Sequence, residues 1–425
     1  MTDKARIFRE MLQPRSARER GRDGSPDFSR AISRSLCRKF FRRVGCSAPW
    51  LSLLMSVLLA MPGAAQRRAP AAGAFEKLAA QANAAREADR LDEAIPLYLQ
   101  ALKLRPKWSE GWWYVGSMFY ERDQYREGRD AFRNLAVVDP KFGTAWTMLG
   151  LCEFQLAEYD EALKHLRHGN SFGFGDRHEL RRVARYHEAI LLNRAESYEL
   201  AYDVLSRFMD KQNESPDVIV ALGLAMLRMP HLPASIPPAK REMVFKTGRA
   251  AYLAAINRVL DAQREFQELV AAFPAEPGVH YAHGVFLLRD SPDTALDEFR
   301  RELTLSPNHV AARLQIAFEY IKRNQHAAGL PFAEEAARLA PDLFATHNAL
   351  GRILLETGDL DRAIRELEAG ARLAPDSPEM YFALARAYSR AKRPQDAARA
   401  RAEFSRLDKL RRERRGEGIV GEEKP

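Results

Sequence analysis

The phrase "GARLAP" at Gly370–Pro375 repeats "AARLAP" at Ala336–Pro341, 34 residues earlier. "ALKLRP" ends at Pro106 and "LAVVDP" at Pro140, again 34 apart. A recurrence of that length leaves few folds open. Each unit is one supersecondary element that cannot bury its apolar face alone, so copies must stack. The phrase itself is a helix ending. "EAIPLYLQALKL" (Glu93–Leu104) puts apolar residues at i, i+3, i+4 and i+7, the helical period. The proline that follows lacks an amide hydrogen and disfavours helical geometry in the residue before it, so the helix stops.

Two small residues hold a fixed place within each unit. With the terminal proline set as position 32, position 8 reads Ala82, Gly116, Gly150, Ala317, Gly351 and Ala385. Position 20 reads Ala94, Gly128, Ala162, Gly329, Ala363 and Ala397. Small residues there let two antiparallel helices approach closely where they cross. Large residues fill the seam: Trp112 and Trp146 at position 4, and Tyr98, Phe132 and Leu367 at position 24. Polar bends such as "ERDQYREG" and "ETGDLDRA" separate the helices.

These residues resemble the tetratricopeptide repeat, a helix–turn–helix unit with Trp, Leu-Gly, Tyr, Ala, Phe and Pro at set places. "AWTMLG" (Ala145–Gly150) and Ala345–Pro375 match closely, and the resemblance covers most of residues 75–410. It implies an all-α fold: a right-handed α-solenoid of about 8–10 stacked antiparallel helix pairs, with an irregular middle. The middle is irregular because the third unit lacks its proline and runs into "HGNSFGFGDRHEL". A fourth unit around Tyr186–Phe208 shows mainly the helix period and Ala201. "MPHLPASIPPAK" (Met229–Lys240) then inserts four prolines, and the unit ending at Pro307 is one residue short between Gly284 and Ala295. We therefore expect an N-terminal repeat block over 75–228, a proline-rich insertion over 229–242 and a C-terminal block over 243–410. A charged tail, 411–425, caps the array.

The N-terminus reads differently. Residues 1–49 carry 13 Lys/Arg against 5 Asp/Glu, so nearly all of the net charge of +9 sits there and the remainder is close to neutral. That composition predicts a disordered leader and argues against nucleic-acid binding by the repeats. "RKFFRR", then the apolar "WLSLLMSVLLAM" (Trp50–Met61), then small residues at Gly63 and Ala65 are the three parts of a secretory signal peptide. The apolar segment 50–65 predicts an exported chain, periplasmic or secreted, followed by a linker over 66–74. Left uncleaved, residues 50–61 would instead anchor the chain in a membrane. Once the leader is removed, Cys152 is the only cysteine, so no intramolecular disulfide is expected.

Catalytic signatures are absent: there is no Walker loop, no G-x-G-x-x-G, no G-x-S-x-G, no paired C-x-x-C and no H-E-x-x-H. Neither an enzyme activity nor a cofactor is expected. His280 and His283, and likewise His165 and His168, stand three apart on a helical face. A zinc site needs three or four ligands, and no third lies nearby, so these read as packed histidines and no metal is expected. In the family resembled, first helices line a concave groove through positions 2, 5, 9 and 12. The resemblance assigns Trp113, Tyr120, Phe154, Phe318, Asn348, Arg352, Phe382 and Arg386 to that groove. Aromatic and arginine residues suit binding hot spots, so the expectation is a non-enzymatic scaffold or adaptor with a protein or peptide partner. The alternatives are a membrane-tethered assembly factor, and a regulatory subunit or enzyme with a site in the irregular region 170–275.

Overall fold

The computed structural model describes residues 69–420 except 175–177, 208 and 210–213. The basic leader, the apolar segment 50–65 and residues 421–425 lie outside the described residues. The chain forms two compact units, divided between Glu188 and Ala189. The first holds α1 (Ala69–Glu87), α2 (Leu91–Leu104), α3 (Ser109–Glu121), α4 (Tyr125–Val138), α5 (Gly143–Gln155), α6 (Tyr159–Phe172) and most of α7 (His178–Arg194). The second continues with α8 (Tyr198–Ser206), α9 (Pro216–Met226), α10 (Arg241–Ala255), α11 (Val259–Ala272), α12 (Val279–Leu287) and α13 (Pro292–Leu305). It ends with α14 (Val310–Lys322), α15 (His326–Leu339), α16 (Phe344–Thr357), α17 (Leu360–Leu373), α18 (Pro378–Arg390) and α19 (Pro394–Val420). No strand occurs among the described residues. The first described helix starts at Ala69 and the last reaches Val420.

Position 8 makes the seam. A Cβ on Gly116 would stand 2.9 Å from the ring of Phe132, and one on Gly351 would stand 2.6 Å from Leu367 Cγ. Gly284 meets Phe299 and Gly150 meets Leu166 in the same way, at 2.6 and 2.9 Å. The small residue of each first helix thus receives the large residue at position 24 of its second helix. Phe132, Leu166, Phe299 and Leu367 are all fully buried, and the apolar side chains gather into several clusters along each unit.

The bend between the paired helices has its own rule. Asp89, Asp123, Ala157, Glu196, Arg228, Asn257, Asn324 and Lys392 are left-handed, with φ from 53° to 65°, and Gly358 has φ 96°. Each stands seven residues after a small residue at the seam: Ala82, Gly116, Gly150, Ala189, Ala221, Ala250, Ala317, Ala385 and Gly351. A left-handed residue turns the chain sharply enough to reverse a helix within three residues, at a cost for a non-glycine side chain. The short unit, α12 with α13, has no such residue between Gly284 and Ala295. What that unit lacks is its left-handed hinge.

Among the described residues, counting hinges and seams gives ten first helices but nine second helices. The missing one follows α9, where Met229–Lys240 passes through two 3-10 turns, Pro233–Ser235 and Pro238–Lys240, into α10. Two first helices are therefore sequential neighbours. A Cβ on Gly223 would stand 2.0 Å from Val244 O, and one on Gly248 would stand 1.8 Å from Ile219 O. Those pairings run in opposite numerical directions, so α9 and α10 cross antiparallel with their backbones in contact. Nearby, buried Glu302 caps α12. Its carboxylate accepts from Gly278 N at 2.9 and 3.0 Å and from Tyr281 N at 3.2 Å, placing negative charge at the positive end of the helix.

Candidate partner-binding surface

The surface that the first helices offer differs between the two units. In the first, Tyr120 is 1% exposed, and Ser117, Thr147 and Leu151 are buried as well. Trp113 is half-buried with Phe132 and Phe142 each 5.7 Å from its ring. Phe154 packs on Tyr159 at 5.6 Å and on His187 at 4.7 Å. Trp113 and Phe154 are therefore engaged with the next repeat, and Tyr120, its ring 5.3 Å from that of Tyr125 in α4, offers no surface.

In the second unit Leu314, Ile321 and Leu355 are buried too, Phe318 is packed on the C-terminal core, and Asn348 is 9% exposed. Arg352, Phe382, Arg386 and Arg390 remain accessible on α16 and α18, with Phe382 52% exposed and resting on Phe404 at 5.5 Å. Arg386 donates to Glu356 at 2.6 Å. Arg390 reaches the same carboxylate at 3.4 Å and also donates to Leu355 O. Arg352 has no hydrogen-bond or ion-pair partner among the described residues. It is half-buried, and burial first, then the charge of Arg386, makes its protonated form less favourable than usual. Two guanidinium groups thus share one carboxylate, and that of Arg352 beside them has none. A cation held out of water without a partner is costly, and an anion supplied from outside would relieve it.

The histidines have a structural explanation. At position 4, Trp112 Nε1 donates to Pro106 O and Trp146 Nε1 to Pro140 O, each at 2.8 Å. His280 and His347 occupy position 4 in later units. Their Nε2 atoms reach the same carbonyls, Pro274 O at 3.0 Å and Pro341 O at 2.7 Å. Their Nδ1 atoms face Glu298 at 2.6 Å and Glu366 at 2.7 Å. Histidine here copies the tryptophan's bond to the preceding proline and adds a contact to a carboxylate within its own unit. His283 lies 3.5 Å from the same carboxylate of Glu298, and Phe266 stacks on its ring at 5.8 Å. His165 contacts Glu153 at 2.7 Å, and Trp146 packs on both His165 and His168. No group of three or more His, Cys, Asp or Glu among the described residues could hold a metal ion. Cys152 is a buried free thiol. No described helix is long and apolar enough to cross a membrane.

Stacked helix pairs with a side-chain-lined face on their first helices define a helical-repeat interaction protein. The chain carries tetratricopeptide repeats: tetratricopeptide repeat models match residues 79–125, 119–168 and 344–387. It is 26% identical over 141 residues to the human "Protein O-mannosyl-transferase TMTC3", covering 33% of this chain and 15% of that protein. It is 33% identical over 97 residues to the heat-shock protein cognate co-chaperone sgt12 of Aspergillus fumigatus, covering 22% of this chain and 28% of that one. The chain thus spans less than a third of either curated relative. Among solved structures, MamA (41-end) of Desulfovibrio magneticus RS-1 aligns at 19% identity with a TM-score of 0.37, over 40% of this chain and 96% of that one. Yeast Tom70 aligns at 14% identity with a TM-score of 0.31, over 80% and 85%.

Proposed function

We propose that this protein is a non-enzymatic scaffold whose second unit holds an acidic segment of a partner protein against α16 and α18. The observation that carries this reading is Arg352, half-buried and unpartnered beside Arg386. A carboxylate on the partner would complete Arg352 and draw on Arg386, while exposed Phe382 supplies an apolar anchor next to it. Buried charge pairs of this kind contribute to specificity and residence time. The 97-residue similarity to a protein named as a co-chaperone supports a protein partner over a small substrate. We further propose that the chain works outside the cytoplasm, because a basic stretch followed by the apolar Trp50–Met61 has the order of a signal peptide. Cell fractionation with a C-terminal tag tests that placement: recovery in the cytosol rejects it, and retention in membranes after a high-salt wash favours an anchored form.

The partner reading is tested by fluorescence anisotropy with an Asp/Glu-rich decapeptide containing one Leu. We expect Arg352→Glu to weaken binding about tenfold or more, as loss of a desolvated charge contact does. Phe382→Ala should weaken it less, and binding should weaken as salt rises. Equal binding by wild type and Arg352→Glu would reject the arginine face.

A further inference from the structure

α14 starts on a histidine. His309 stands at its N-cap with extended backbone, and its Nδ1 accepts from Ala312 N at 3.0 Å. A backbone amide can only donate, so that nitrogen carries a lone pair and the ring's proton sits on Nε2. α17 has the ordinary form of the same bond: Asp359 accepts from Arg362 N at 3.2 Å. Asp, Asn and Ser are the usual residues for this task. A carboxylate keeps its lone pairs near neutral pH, whereas an imidazole loses its Nδ1 acceptor when it takes up a second proton, ordinarily at about pH 6.5. That proton also brings positive charge to the positive end of a helix.

The ring is partly buried at a junction of elements. Tyr281 of α12 lies 4.7 Å from it, ring to ring, and hydrogen-bonds Gln315 of α14 and Arg228 of the bend after α9. The titratable and charged groups facing His309 are Tyr281, Glu302 from α13, Arg228, itself paired with Glu199, and Arg313 from α14. Burial holds the pKa of His309 below the ordinary 6.5; Glu302 opposes that shift, and Arg228 and Arg313 add to it. The carboxylate of Glu302 is already taken by Gly278 N and Tyr281 N, so it cannot turn to a protonated ring without uncapping α12. We propose that His309 is an acid-sensitive latch, which in its neutral form holds the first turn of α14 against α12 and on protonation lets that turn open. Its contribution is complete above pH 6.5 and is lost as pH falls through the lower value of the closed ring. The latch sits between the α12–α13 pair and the helices that carry the arginine face, and it uses none of that face's residues.

Hydrogen exchange of the full chain tests this at about pH 7.5 and about pH 5, on either side of the histidine range. It is resolved by peptide and expressed as protection relative to an unstructured chain at the same pH. Wild-type protection in the first turn of α14 should fall about fivefold on acidification, the scale of a lost N-cap. His309→Asn, a cap that does not titrate, should keep the higher protection under both conditions. His309→Ala, with no cap, should show the lower protection under both. The first turn of α17, capped by Asp359, is the control within the same chain and should not change. Equal wild-type protection at the two pH values overturns the proposal. So does His309→Asn losing protection as the wild type does, since another group would then be titrating. Equal loss in α17 overturns it because the chain would be loosening as a whole, and His309→Ala matching the wild type at the higher pH overturns it because there would be no cap to lose.

Discussion

At Glu298 two opposing effects meet in one side chain. Burial alone would raise its carboxyl above the ordinary 4.5, but hydrogen bonds and charge from His283 and His280 hold it down at about 2. A carboxylate whose folded value is depressed stabilises the fold above its unfolded value, and that contribution disappears as pH falls through the folded one. The window is thus from 4.5 down to about 2. Melting curves of wild type and Glu298→Gln should separate above pH 4.5 and converge toward pH 2. Curves that stay parallel across that range would show that the histidine contacts of Glu298 add nothing to stability. The position-4 role of His280 was half-legible in the sequence, because the repeat register put it where the family has tryptophan. The bond to Pro274 was not legible, since it depends on the carbonyl that the preceding helix leaves exposed. Burial of Tyr120 was hidden for a related reason. Position 12 faces the groove in the family, and only the packing of the neighbouring helix decides whether it is covered.

The helices themselves were readable wherever a proline closed them, since proline, small residue and large residue repeat at fixed distances. Two element-scale features were not. The left-handed hinge is filled by Asp, Ala, Glu, Arg, Asn, Lys and Gly in different units, so no residue type marks it and only its distance from the seam does. The crossing of α9 and α10 escaped because the proline-rich insertion breaks the register just where Gly223 and Gly248 act. These glycines let two backbones touch. Gly248→Ala would place a methyl 1.8 Å from Ile219 O, and backbone cannot move aside as a side chain can. We expect a loss of about 3 kcal/mol or more, the upper end for overpacking. Gly73, with nothing within 4 Å of its missing Cβ, is the control: Gly73→Ala should be neutral or gain up to about 1 kcal/mol from helix propensity. Chemical denaturation of both variants measures this, and equal stabilities would mean that the crossing is looser than its geometry.

Across the whole molecule, stability is distributed along the chain instead of pooled in one core. Each repeat buries its apolar face only against its neighbours, so the array approximates a sum of local terms with nearest-neighbour coupling. A defect should therefore have a range. Leu367 is fully buried on α17 and pressed against Gly351 of α16. Leu367→Ala leaves a cavity there and should cost about 2–5 kcal/mol. Hydrogen exchange resolved by peptide should show the protection loss greatest in α16–α19 and fading toward α12. The helices α1–α6 belong to the other compact unit and should keep their wild-type rates. Uniform loss across all nineteen described helices would instead mean that the two units unfold as one cooperative body. A partner that binds α16 and α18 would then raise the protection of the entire chain, whereas in a stack with local coupling it steadies only the repeats it touches and their neighbours. The same exchange experiment, repeated with the acidic peptide bound, separates these cases: protection gained only in α14–α19 identifies a local clamp, and protection gained from α1 onward identifies a scaffold that responds as a whole.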